Sequence, residues 1–216
     1  MKKLCGVVLV LCFGLVSAQT TDPVNANQDT PAYNDVSGTP YLFSDWNKGA
    51  IRFSSGRVAT QFKLKFDCIT NQLMLQFDGN SFANQSKVRE FVIYPKSGKD
   101  SLVFRRNFPT TEKGNEETFY EIIEEGKATL LLLHYKQITE EAQLVSKIIY
   151  RRIRDENAYY ILKEKMMIEL PADKTAIIEK LTDQSDKIRL FINEHQLKFR
   201  NKEDFKKLVV YYNLLL

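Results

Sequence analysis

The chain of 216 residues has few of the residues on which most enzyme chemistry rests: two histidines, one tryptophan, three cysteines and nine glycines. GxxxxGKS, GxxxxGKT, GxGxxG, HExxH, GxSxG and CxxC are all absent. Their absence removes the phosphate loop, the dinucleotide turn, the zincin helix, the serine-hydrolase elbow and the dithiol redox site in their usual forms. A carboxylate pair for glycoside hydrolysis leaves no fixed spacing, so it stays open. The chain is small for that class, and Trp46 is the only tryptophan that could wall a cleft. No cofactor and no metal is expected from these residues.

Long apolar runs are scarce as well. The opening MKKLCGVVLVLCFGLVSAQT has a basic head (Lys2, Lys3), an apolar stretch from Leu4 to Val16 and the small-residue exit Val16-Ser17-Ala18. This is the three-part layout of a secretory signal peptide over residues 1–18, with cleavage expected between Ala18 and Gln19. The apolar stretch is shorter than the ~20 residues a spanning helix needs, so no transmembrane segment is expected once it is removed. The expected location is therefore outside the cytoplasm, periplasmic or secreted.

Charge of one sign is not in excess. Loss of the signal takes away two lysines and no acid, lowering the formal net charge from +4 to +2. That balance excludes the clustered positive field of most nucleic-acid binders, and no nucleic-acid partner is expected. YRRIR, residues 150–154, is followed at once by Asp155 and Glu156 and reads as a solvated strand edge. Only Cys68 outlasts the signal, so no internal disulfide is available and the core must hold the fold alone. Cys68 lies in the strand-like FKLKFDCIT, where a lone cysteine is expected to be buried packing and unreactive.

What is present divides into three grammars. Residues 19–39 are rich in Asn, Asp, Thr and Pro without apolar period, as a flexible leader would be. Residues 40–172 then alternate with a period of two. GAIRF and QFKLKF flank a turn at Ser54-Ser55-Gly56, QLMLQF closes on the strong turn Asp78-Gly79, and VREFVIYP and DSLVFRRNF follow. The fold class expected is α+β, an antiparallel β meander over residues 40–170 followed by short C-terminal helices. TEEAQLVSK, from Thr139, offers a short helix capped by that threonine. After Pro171 the period becomes helical over residues 173–216, with Asp173, Ser185 and Asn201 as N-caps and apolar stripes that include Ile177, Ile188 and Phe205.

LLLLHYK, residues 130–136, is apolar on both strand faces and is expected to be a central strand covered on both sides. His134 ends that run. No carboxylate or second histidine is placed beside it by spacing, and His195 lies far along the chain, so it reads as a satisfied strand-end residue. Its loss is expected to cost much less than the loss of Leu132.

PYLFSDWNKGAIRF, FDCITNQLMLQFDG, FYEIIEEGKATLLL and FINEHQLKFRNKEDFKKLVVYYN, taken in order, resemble uncharacterised exported proteins common in Bacteroidetes. The resemblance spans most of the chain beyond the signal. It implies a Gram-negative envelope or secreted protein and carries no activity and no functional residue. Three functions remain in competition: a non-enzymatic module binding an envelope protein or component, with Tyr41, Phe43 and Trp46 as candidate partner surface; a carrier enclosing an apolar ligand; and a small carboxylate-based hydrolase. The same three aromatics would equally serve to anchor the first strand in the core.

Overall fold

The computed structural model describes residues 33, 35–84, 87–98, 100–142 and 149–216. The expected signal peptide, its cleavage point at Ala18 and Gln19 and most of the expected leader lie outside the described residues. Twelve strands are described: β1 (Val36–Ser37), β2 (Asn47–Phe53), β3 (Val58–Ala59), β4 (Lys63–Asp67), β5 (Gln72–Phe77), β6 (Asn80–Asn84), β7 (Val88–Tyr94), β8 (Leu102–Arg105), β9 (Tyr120–Glu124), β10 (Ala128–Ala142), β11 (Ile149–Lys163) and β12 (Met166–Leu170). Three helices follow, α1 (Lys174–Lys180), α2 (Ser185–Glu194) and α3 (Lys202–Leu215).

All strands join one sheet in the order β1-β11-β10-β9-β8-β7-β2-β4-β5-β6, with β12 added to β11 and β3 to β2. The α+β class holds, but two features of a plain antiparallel meander do not. β2 sits between β7 and β4, and β1 runs parallel to β11 through Val36 with Arg151 and Ser37 with Arg152. Val36 and Ser37 fall inside the expected leader. A two-residue strand has no period to read, and its partner lies more than a hundred residues away. At the centre, Gly49 lets β2 pass: a Cβ there would overlap the Leu64 side chain and the Val92 carbonyl.

Two turns occur where the sequence places them. Gly56 has φ +84° at the β2–β3 turn, and Asp78 and Gly79 both have positive φ between β5 and β6. The hairpin between β11 and β12 turns on Glu164 and Lys165, at φ +50° and +69°, without any glycine to announce it.

β10 and β11 pair without interruption from Ala128 with Lys163 to Ala142 with Ile149. The helix expected from Thr139 is therefore overturned for residues 139–142, which continue β10; residues 143–148 lie outside the described residues. Pairing explains the choice. Ile138 and Thr139 are β-branched, and Glu140 and Glu141 meet Arg151 and Arg154 across the ladder.

Three apolar clusters hold the sheet. Phe66, Phe91, Phe104 and Phe119 form an aromatic core in the first region, with Phe91 and Phe104 stacked at 4.7 Å. Ala128, Leu130 and Ile161 of β10 and β11 are covered by the helices through Ile177, Ile188, Phe205 and Leu208. On the opposite face Leu131 and Leu133 pack with Phe108, Tyr120 and Tyr160. LLLL is thus buried on both sides, as its pattern implies. Asp173 and Asn201 cap α1 and α3 by accepting from the amides of Ala176 and Asp204. Ser185 is already helical: a 3₁₀ turn at Thr182–Gln184 precedes it and Gln184 takes the cap position.

Candidate functional site

Two groups of charged side chains stand out, one inside and one on the surface. Inside, Glu121 of β9 lies opposite Leu132 of β10, so His134, two residues on, reaches it diagonally. Nε2 of His134 donates to Oε2 of Glu121 at 2.6 Å, and Nζ of Lys202, from the first turn of α3, donates to Oε1 at 2.9 Å. The Glu121 residue is 3% exposed. Burial by itself would raise its pKa, but the hydrogen bonds and charges of His134 and Lys202 outweigh that and hold the carboxyl below its ordinary range. The Phe104 ring stands 5.8 Å from the imidazole, so the cluster sits where the aromatic core meets the helix-covered core.

Cys68 and His134 line one cleft of about 150 Å³ with Glu121 behind the imidazole, which assembles the residue types of a thiol hydrolase. The chemistry is not set up there. Burial pushes the Cys68 thiol up to about 12, no hydrogen bond joins it to His134, and the imidazole's Nε2 is committed to Glu121. Cys68 lies one residue past β4, where its amide donates to the Pro40 carbonyl and its own carbonyl accepts from Lys136. Lys136 also lines the cleft, donating to the Thr39 carbonyl and pairing with Asp155.

The surface group lies on the solvated face of the first region. Register places Tyr94 (β7), Lys48 (β2), Lys63 (β4) and Gln76 (β5) side by side in one row across four strands. Trp46, Lys65 and Lys96 flank the row, and together these residues line an open groove of about 810 Å³. Tyr94 is 48% exposed. The Lys65 ammonium stands over the Tyr41 ring at 4.3 Å and the Trp46 ring at 5.4 Å. Among the described residues Asp45 is the one acid lining the groove, and it pairs with Lys96. Among the described residues no carboxylate pairs with Lys48 or Lys63, which face each other directly.

The same face offers an internal control. Four residues further along β2 and β7, Arg52, Glu90 and Arg105 form a cross-strand row whose charges alternate, extended by Glu125. Glu90 is held below its ordinary range: burial would raise it, but the two arginines override. Like charges placed opposite each other across a ladder are destabilising, and one end of this face avoids that arrangement while the other adopts it.

The sequence-derived candidates separate on this frame. Phe43 packs against the aromatic core, Trp46 lines the groove, and Tyr41 is half-buried beside Lys65, with an isolated bridge to Asp67. His195 is exposed at the end of α2, stacked on Phe191, and shares no partner with His134. His134 is satisfied, as expected of a strand-end residue, and its partner is the single carboxylate of Glu121, 13 positions away in the chain, which Lys202 holds from its other oxygen. Among the described residues no group of three or more His, Cys, Asp or Glu is arranged to hold a metal ion, and no helix is long and apolar enough to cross a membrane. The sequence missed Lys48, Lys63, Tyr94 and Gln76. Their alternation with Leu64, Phe66 and Ile93 marks them as outward-facing, but only strand order brings them into one row. No protein-family model, no curated protein and no solved structure matches the chain.

Proposed function

We propose that the protein is an exported, non-enzymatic binding module of the cell envelope, and that it takes an anionic ligand in the lysine–aromatic groove of β2, β4, β5 and β7. The observation that carries the proposal is the Lys48–Lys63 juxtaposition beside Trp46 and Tyr94, which no carboxylate among the described residues neutralises. A fold that matches charges elsewhere on the same face keeps a repulsive pair here, and an arriving anion would relieve it. The signal-like opening and the resemblance to exported Bacteroidetes proteins support the location.

The competing readings have less beneath them. A carrier needs an apolar cavity, yet the apolar sides of β10 and β11 are filled by the helices on one face and by Phe108, Tyr120 and Tyr160 on the other. For a hydrolase, the acid nearest a histidine is Glu121, which already accepts from both His134 and Lys202.

Trp46 is the sole tryptophan, so its emission reports on the groove alone. Titrating the exported form with polygalacturonate, polyglutamate and polyphosphate is expected to give a saturable change with at least one of them. The change should be suppressed near 1 M salt, where screening acts over roughly 3 Å. Unchanged emission with all three polyanions would remove the proposal. A lipid retained through native mass spectrometry would favour the carrier instead.

A further inference from the structure

We infer that the anion taken by this groove is an acidic polysaccharide, lying across the strands with about one sugar ring per strand. This rests on the anion-binding reading above and goes beyond it in naming the ligand class. Neighbouring strands are about 4.8 Å apart, so the row from Tyr94 through Lys48 and Lys63 to Gln76 spans roughly 14 Å in equal steps. Each step is close to the repeat of a chain of pyranose rings. A sugar ring has an apolar C–H face, polar edges and, in uronates and sulfated glycans, one anionic substituent. The row offers a counterpart to each: the exposed phenol ring of Tyr94 for the C–H face, the two ammonium groups for successive anions, and the Gln76 amide for hydroxyls.

The side-chain types discriminate among polyanions. Among the described residues no arginine lines the groove, whereas recognition of phosphate through paired donors draws on its planar fork. Lysines act as point charges and suit anions distributed along a chain. An acidic peptide would bind a sheet most readily at an edge, through main-chain hydrogen bonds. Here the groove lies on the face of β2 and β4, which are paired with each other and with β7 and β5.

The test measures Trp46 emission and affinity electrophoresis with polygalacturonate and chondroitin sulfate, set against neutral dextran, polyglutamate and oligothymidylate. The acidic glycans are expected to bind, with affinity rising from disaccharide to tetrasaccharide. Lys48→Glu with Lys63→Glu should weaken binding roughly tenfold or more. Tyr94→Ala should weaken glycan binding severalfold while leaving any response to polyglutamate unaltered. All these positions are exposed or half-buried, and thermal unfolding checks that the variants remain folded. Polyglutamate or oligothymidylate binding as tightly as the glycans would overturn the glycan assignment and leave the anion-binding module standing. Neutral dextran binding equally well, or Tyr94→Ala without effect, would overturn the assignment too. Silence from every probe would overturn both readings.

Discussion

The buried cluster of Glu121, His134 and Lys202 and the surface row of Lys48 and Lys63 use charge in opposite ways. In the first, a carboxylate withdrawn from water receives two donors from different elements, and the three residues tie β9 and β10 to α3. The second places two ammonium groups opposite each other in solvent, where a carboxylate at either position would have formed an ordinary cross-strand pair. Lys163 is matched too, though at an exposed carboxylate: it donates to Asp183 and to the Tyr212 hydroxyl, and those bonds hold its pKa above the ordinary lysine value. Matched charge serves cohesion. Unmatched charge adds nothing to cohesion, and its presence calls for a use outside the fold.

Substitutions can test that division, starting with the largest effect. Leu132→Ala, next to the cluster but apolar, supplies the yardstick and should cost ~2 to 5 kcal/mol in denaturant unfolding. His134→Ala should cost on the order of 2 to 3 kcal/mol, because Glu121 stays buried with Lys202 as its remaining charged partner. This revises the expectation from sequence of a much smaller loss. A cost under half a kcal/mol would dissolve the contrast between the two groups. Neither variant should alter polyanion binding at the groove.

Acid sharpens the contrast. In the native state Glu121 binds its proton less readily than in the unfolded chain, so its contribution is complete above the ordinary glutamate pKa of about 4.3. It fades as the pH falls through the lowered native value. Glu90 and Asp183 are displaced in the same direction, so their contributions are also lost on the acid side. The melting temperature of the parent should therefore drop more steeply below pH 4.3 than that of Glu121→Gln, and parallel curves would show that Glu121 is not coupled to folding.

The smallest effect has the opposite sign. Lys63→Glu sets a carboxylate against Lys48 and should stabilise the protein by ~0.2 to 1 kcal/mol while it weakens anion binding. Destabilisation, or binding left intact, would mean that the row is ordinary solvated surface.

Periodicity makes much of this architecture legible. Alternation in KLKF reports which face is covered, the unbroken apolar run of ATLLLL reports cover on both, and the caps Asp173 and Asn201 with their apolar stripes locate α1 and α3. Pairing between distant strands leaves no such trace. Nothing near Thr139 announces that β11 will hold residues 139–142 extended, and Glu164-Lys165 makes a hairpin turn from residues that usually avoid positive φ. Both charge groups escape the sequence for the same reason. Glu121 and Lys202 are 81 residues apart, and Tyr94 joins Lys48 and Lys63 in one row only because β2 is inserted between β7 and β4.

The parallel pair of β1 and β11 sets an order of events in folding. Ser37 and Arg151 are 114 residues apart, so closing that loop carries a conformational cost that two residues of ladder repay poorly. β10 and β11 pair through a local hairpin and can zip first, leaving an open rim on β11 onto which Val36 and Ser37 settle late. During synthesis this segment leaves the ribosome early and waits for its partner, and in the finished protein its amides should be among the first to exchange with solvent. While seated, it occupies part of a strand edge that would otherwise be free to pair with another chain.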